Sequence, residues 1–264
     1  MSKVIEVVRS RDKLGEVPVW DAAEQALYWV DIENKRLRRL DHASGAVREW
    51  QFPERIGSFA LREKGGLVCA FESGLAFFDP ATEKIDWIAR PEAHIPTNRF
   101  DDGKCDRKGR FWAGTMDDRL KDPCAALYRL DPDLSVSPLA DGICISNSLV
   151  WSLDNSTFYF ADTPDNAIYA YDYDHEAGTI ANRRLFASTA DQPGTPDGSI
   201  DRIVNLPVRR PSSCMFGGPD LATLYVTTAI WDSSEADLQR QPLAGSLLAL
   251  DVGVRGVPEP RFAG

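Results

Sequence analysis

A chain of 264 residues falls short of two average domains and suits one large all-β or α/β domain, which predicts a single domain over residues 1–264. Its 30 Lys and Arg against 40 Asp and Glu give a net charge of −10, which opposes attraction to phosphate backbones and anionic headgroups and removes nucleic acid and membrane surfaces as partners. With 43% hydrophobic, 10% aromatic and 27% charged residues, the chain can bury a sizeable core and lacks the composition of a disordered segment.

The N-terminal MSKVIEVVRSRDKLGEVPVW has no apolar stretch behind a basic start, and no later segment approaches the ~20 apolar residues of a membrane helix. The expectation is a soluble, cytoplasmic protein. Five cysteines, at 69, 105, 124, 144 and 214, form no CxxC pair, which argues against a disulfide framework and a thiolate zinc site and fits a reducing compartment. Only three histidines occur, His42, His94 and His175, so any metal must be held mainly by oxygen.

Along the chain, short β-rich runs bounded by Gly, Asp, Asn and Pro follow one another: ALYWVDI, GLVCAF, GLAFFD, RFWAGT, ALYRLD, TFYFAD, AIYAYDYD, TLYVTT and SLLALD. A strand ending in an acidic turn recurs as LRRLDHASG, LAFFDPATEK, LYRLDPDLS, IYAYDYDHEAG and LLALDVGVRG. Its aspartates stand at 41, 79, 131, 172 and 251, at intervals of 38, 52, 41 and 79. A period in the forties without intervening helices predicts β-propeller blades, and a β-sandwich gives no reason for the same turn to recur at that interval. YDYDHEAG reads as a hairpin turn, since Gly178 arrives one position late for an EF-hand loop. The tryptophans at 20, 29, 112 and 151 sit in strand patterns and read as core. No GxSxG elbow, GxGxxG, P-loop or HExxH is present, which leaves nucleophilic-serine, dinucleotide, nucleotide and zincin chemistry without its usual marks.

Four segments set an acid or amide in a turn beside an apolar strand: LGEVPVWD (14–21), NRFDDGKCDRKGRFWAGTMDD (98–118), ISNSLVWSLD (145–154) and PGTPDGSID (193–201). Together with SSCMFGGPDLATLYVTTA (212–229) and QPLAGSLLALDV (241–252), they resemble the gluconolactonase/regucalcin family, the senescence marker protein lactonases. That resemblance covers nearly the whole chain. It implies a six-bladed β-propeller with one divalent metal, held by the Glu of the first loop, the Asn of the SNG loop and the Asp of the PDG loop. Here these become Glu16, Asn147 and Asp197. Singly, each reads as a turn former: a carboxylate capping amides, an Asx turn, and a Pro-Asp-Gly turn. In family order, the metal reading wins. Three oxygen donors suit Zn, Ca, Mn, Mg or Fe(II). NRFDDGKCD resembles the family's RFNDG loop, whose Arg and Asn bind the hydroxyls of the sugar lactone. Arg99 matches, and Asp101 stands where Asn is commoner, keeping the acceptor role while losing the amide donor and adding a charge. Asp102 reads as a brace on backbone amides, and Asp117 and Asp118 each read as solvated loop carboxylates.

The chain departs from the family after Pro-Asp-Gly. Relatives continue with a strand pair and a turn before an LPV segment, whereas here Asp197-Gly198-Ser199-Ile200 runs directly into DRIVNLPV, and the 79-residue interval lacks one Asp turn. Half a blade or more is missing, which allows five blades and a remnant, six blades with one thinned, or completion by a neighbouring chain; the expected fold is a six-bladed propeller with one blade truncated and five complete repeats. The implied function is metal-dependent hydrolysis of a sugar-derived aldonolactone, with Asp197 as both metal ligand and general base and with Arg99 and Asp101 on the sugar hydroxyls. The alternative from another class is a non-catalytic or decayed propeller that binds calcium or a sugar acid.

Overall fold

The computed structural model describes residues 3–188 and 203–264. Almost every element is a strand, and the strands group into five four-stranded antiparallel sheets, the blade unit of a β-propeller. The first blade is β2 (Gly15–Asp21), β3 (Ala26–Asp31), β4 (Arg36–Asp41) and β5 (Val47–Gln51). The second is β6 (Ile56–Leu61), β7 (Leu67–Phe71), β8 (Gly74–Asp79) and β9 (Lys84–Ala89). The third is β10 (Asn98–Cys105), β11 (Phe111–Asp117), β12 (Ala125–Leu130) and β13 (Val136–Ile143). The fourth is β14 (Ser146–Trp151), β15 (Thr157–Asp162), β16 (Ala167–Asp174) and β17 (Thr179–Ser188). In the fifth, β18 (Pro211–Gly217), β19 (Thr223–Thr228) and β20 (Leu247–Asp251) are joined on the outer side by β1 (Ile5–Val8). Among the described residues one short α-helix, α1 (Glu235–Arg240), starts in a capping box between Ser234 and Asp237.

These blades fall into two compact units. One comprises residues 1–56 and 204–259, and the other residues 57–203 and 260–264. In the first unit, Trp20, Leu27, Trp29, Leu40, Tyr225, Leu247 and Ala249 form one buried cluster, while Val208, Val226, Leu248, Leu250 and Val252 form another. In the second, Trp112, Leu127, Leu149, Trp151, Phe158 and Phe160 pack together, and Phe100, Phe111, Leu130 and Phe262 centre a separate cluster. The alternation of TFYFAD explains its place: Phe158 and Phe160 are buried, and Tyr159 and Ala161 on the other face are half-buried. The four strand tryptophans are core, none more than 8% exposed. No helix among the described residues is long and apolar enough to cross a membrane.

The recurring acidic turns link the third and fourth strands in the first four blades, whereas the copy at Asp251 ends β20, the last strand of the chain among the described residues. Asp41 accepts from Ser44 N (2.9 Å), and Asp79 accepts from Ala81 N (2.8 Å), each closing its hairpin. In the fourth blade the turn carboxylate is Asp174 rather than Asp172. It accepts from Ala177 N at 2.9 Å ahead of a left-handed Gly178, because β16 runs two residues beyond the repeat. Asp172 instead holds Asn182 and Arg184 across the ladder.

The expected sixth, shortened blade is not among the described residues. The first strands of the five blades begin at Gly15, Ile56, Asn98, Ser146 and Pro211, at intervals of 41, 42, 48 and 65. The long last interval contains residues 189–202, which lie outside the described residues together with Asp197, and the following stretch up to Pro211 forms no strand.

Candidate functional site

The candidate residues are set by strand register. In the first blade Gly15 pairs with Asp31 and Glu16 with Val30, and the ladder then slips between Glu16 and Val19. In the third, Asn98 pairs with Asp117 and Arg99 with Met116, with a slip between Phe100 and Gly103. In the fourth, Ser146 pairs with Asp162 and Asn147 with Ala161, with a slip between Asn147 and Val150. Glu16, Arg99 and Asn147 therefore hold the same rung of three different blades, Glu16 and Asn147 directly ahead of a bulge and Arg99 one residue before it. Bulges re-aim side chains and concentrate beside active sites. Val17 and Ser148, the residues that follow, have φ of 47° and 60°. A β-branched residue rarely adopts that left-handed conformation, and such strain persists only where the surroundings impose it.

Aspartates at the ends of second strands hold the chain that leads into these corners in two blades. Asp31 accepts from the backbone N–H of Lys13 and Leu14, both at 3.1 Å. Asp162 accepts from Cys144 N and Ile145 N, at 2.9 and 2.8 Å. Each carboxylate caps the chain entering a first strand, and the candidate residue follows two positions after the second capped amide. The likeness of VDIEN to ADTPDN carried this signal in the sequence. The third-blade counterpart, Asp117, is turned to another task. It is fully buried and accepts from Arg119 Nε (2.9 Å), Lys121 N (3.1 Å) and Asp122 N (2.9 Å), organising the loop after β11. The Arg119 guanidinium, then the backbone amides, hold its carboxyl well below the usual carboxylate range. The expectation of a solvated carboxylate at Asp117 is thus corrected.

Asp118 is corrected in part. Its side chain is 40% exposed, yet Oδ1 accepts from Arg99 Nε at 3.0 Å. Arg99 itself is 6% exposed and also donates from Nη1 to Asp101 Oδ1 (2.7 Å) and to the Phe100 carbonyl (2.9 Å). Arg99 and Asp101, named together from the sequence, are a buried ion pair. Asp102 braces backbone, as the sequence suggested: Oδ1 accepts from Gly103 N at 2.8 Å and Oδ2 from Ser148 N at 2.9 Å. It ties the β10 bulge to the β14 bulge. Burial, then the charge of Asp101, pushes its carboxyl up to about 6. The second unit therefore brings Arg99, Asp101, Asp102 and the Asn147–Ser148 corner into one network, while Glu16 is described in the first unit on β2.

The donor chemistry fits a hard cation. Asn147 Nδ2 donates to Thr163 Oγ1 at 2.9 Å, and its Oδ1 accepts no hydrogen bond among the described residues, which leaves the oxygen for a cation. Glu16 is half-buried and accepts from Val17 N through Oε2 at 3.2 Å. Among the described residues no group of three or more His, Cys, Asp and Glu side chains gathers as a metal cluster. The expected set has an amide as one donor, and its third member, Asp197, lies outside those residues.

Comparisons with known proteins identify the family and the fold. The sequence matches the family described as SMP-30/Gluconolactonase/LRE-like region over residues 14–201 and again over 195–230. It is 37% identical to a 6-deoxy-6-sulfogluconolactonase of Pseudomonas putida, with 98% of each chain covered. It is 36% identical to regucalcin of Gallus gallus over the full length of both chains, in an alignment of 299 positions, 35 more than the residues present here. The family match breaks at residues 195–201, where the sequence departs from its relatives. A crystal structure of a calcium-binding protein, regucalcin, from Agrobacterium tumefaciens superposes with a TM-score of 0.90 at 24% identity, covering 98% of this chain and 97% of that one, which shows the propeller fold.

Proposed function

Because the chain belongs to the SMP-30/gluconolactonase/LRE-like family, we propose that it is a metal-dependent lactonase that opens a sugar-derived aldonolactone to its aldonic acid. The observation that carries this reading is the shared rung of Glu16, Arg99 and Asn147, three polar side chains at the second rung of separate blades, beside a register slip in each. Relatives named as lactonases support the reaction class.

Glu16, Asn147 and Asp197 would hold one divalent cation. When bound, such a cation supplies Lewis-acid polarisation of the lactone carbonyl. The chain's own groups do the rest. Asp197 accepts the proton of the attacking water, whose oxygen bonds to the carbonyl carbon. The ring C–O bond then breaks and its oxygen leaves as a hydroxyl, protonated from the same carboxyl group. Arg99 donates to the sugar oxygens and Asp101 accepts from its hydroxyls, fixing the ring against the carboxylate. Asp102 keeps the Asn147 corner in place through Ser148 N.

The test is acid release from a panel of pentono- and hexonolactones, using protein stripped with chelator and reloaded with single divalent metals. Turnover returns with metal and is abolished in Asp197→Ala. Turnover that survives chelation or this substitution overturns the assignment. Absence of turnover from folded protein with every metal favours the second reading, a calcium- or sugar-acid-binding propeller, which the regucalcin relatives support. That reading expects ligand-dependent stabilisation alone.

A further inference from the structure

A cavity of about 220 Å³ lies within the second unit, between the end of β13 and the fourth blade, and the proposed reaction does not use it. Ala140, Ile143 and Phe160 give it an apolar floor, and none of Glu16, Arg99 and Asn147 lines it. Tyr171 is on its wall. That residue is 8% exposed, and its hydroxyl makes no hydrogen bond among the described residues. Buried polar groups ordinarily have partners, so an idle one on a cavity wall points to an occupant that supplies it.

A cation is prepared beside the phenol. The β16–β17 ladder pairs Ala170 with Arg184 and Asp172 with Ala181, so Asn182 and Arg183 together stand opposite Tyr171, with Asn182 at φ 53°. The bulge brings Arg183 to the cavity wall. Its guanidinium lies over the Tyr169 ring at 3.7 Å and donates from Nη2 to Asp165 Oδ2 at 3.3 Å. Tyr169 donates to the same oxygen at 2.6 Å, which completes the frame that orients the fork. Nε and Nη1 have no partner among the described residues. The other charged groups on the wall are Asp162 and Asp141. Asp162 is already engaged by the amides of Cys144 and Ile145. Asp141 is exposed and has no hydrogen bond or ion pair among the described residues.

The wall therefore offers an open guanidinium edge, an open carboxylate and a phenol around an apolar floor. A simple anion would pair with Arg183 but face Asp141 and Asp162, with Asp165 behind the guanidinium. A simple cation would pair with Asp141 but face Arg183, and a neutral polyol would leave both charges without an opposite. A zwitterion answers both. The volume lies below the roughly 300–1,000 Å³ of drug-sized sites, which limits the occupant to a small molecule.

We infer that this cavity binds a free α-amino acid with a small apolar side chain. Its carboxylate meets Arg183 and the Tyr171 hydroxyl, its ammonium meets Asp141, and its side chain packs against Ala140, Ile143 and Phe160. The inference stands apart from the lactonase reading, since it uses none of that site's residues.

The test is calorimetric titration of the full-length protein with L-valine, with isovalerate, which lacks the ammonium, with isobutylamine, which lacks the carboxylate, and with D-glucitol. L-Valine is expected to bind at least about tenfold more tightly than each of the others, because each lacks at least one charge-assisted contact. Tyr171→Phe, Arg183→Gln and Asp141→Asn, each shown by its melting temperature to be folded, are expected to weaken valine binding several-fold or more. Asp141→Asn should leave isovalerate binding no weaker. No saturable binding of valine to the folded parent overturns the inference. So does an analogue or the polyol that binds as tightly, or an affinity for valine unmoved in any one of the three variants.

Discussion

Asp117 is a single residue on which a loop depends. Its carboxylate gathers Arg119 Nε and two backbone amides within 3.1 Å, and the loop it shapes carries Asp118 to Arg99. Because the Arg119 guanidinium and the amides depress its pKa, the stabilisation is present above the unfolded value, about 3.9, and is lost as pH falls through that value towards the folded one. Asp117→Asn is therefore expected to lower the urea midpoint at pH 7. The gap from the parent should shrink below about pH 4, and a gap constant with pH would contradict this account. Glu16, Arg99, Asp101 and Asn147 were singled out from short motifs taken in order, and the structure adds the rungs that Glu16, Arg99 and Asn147 occupy and the ion pair that joins Arg99 to Asp101. The partners of Arg99 were only half legible. Asp101 lies two residues away, whereas Asp118 reaches it across a strand pair, and nothing local separates a paired carboxylate from a solvated one.

The element that organises the site is the bulged first strand of a blade with its capping aspartate. Asp162 satisfies two amides at the entrance to β14, and Asn147 follows at a fixed distance along that strand. Asp162→Ala leaves the buried Cys144 N–H without its acceptor, and an unsatisfied buried donor costs about 1–3 kcal/mol. The expected result is a lower unfolding midpoint together with weaker metal-supported turnover, whereas unaltered metal affinity would separate the cap from Asn147. Strand alternation and the acidic turns made the blades legible, since each reflects a local rule. The slips between Glu16 and Val19, Phe100 and Gly103, and Asn147 and Val150 were not legible, because register is fixed between strands rather than within one. The displacement of the fourth turn from Asp172 to Asp174 has the same origin: a strand two residues longer than its counterparts hides in a repeat read by spacing alone.

At the scale of the whole molecule, the chain has five blades among its described residues where its family resemblance implied six, and its alignment to chicken regucalcin runs 35 positions longer than the chain, nearly one blade interval. The departure was visible in the sequence as the 79-residue gap between acidic turns, but the architecture that results was not. The fifth blade takes β1 from one end of the chain and three strands from the other, with Ile5 opposite Ala249. Removing residues 1–8 strips β20 of its outer partner and withdraws Val7 and Val8 from the Trp20 cluster, and is expected to lower thermal stability markedly. Unchanged stability would show that the outer strand is dispensable.

That pairing also sets a timetable for synthesis. The second, third and fourth blades are runs of neighbouring hairpins, and each can close soon after its own residues leave the ribosome. β1 emerges first of all the strands and finds its partner last, after some 240 further residues have been made, because loop closure over that span must precede any gain from the contact. Throughout translation it travels as an unpaired edge, so the first strand to be made is the last to be folded.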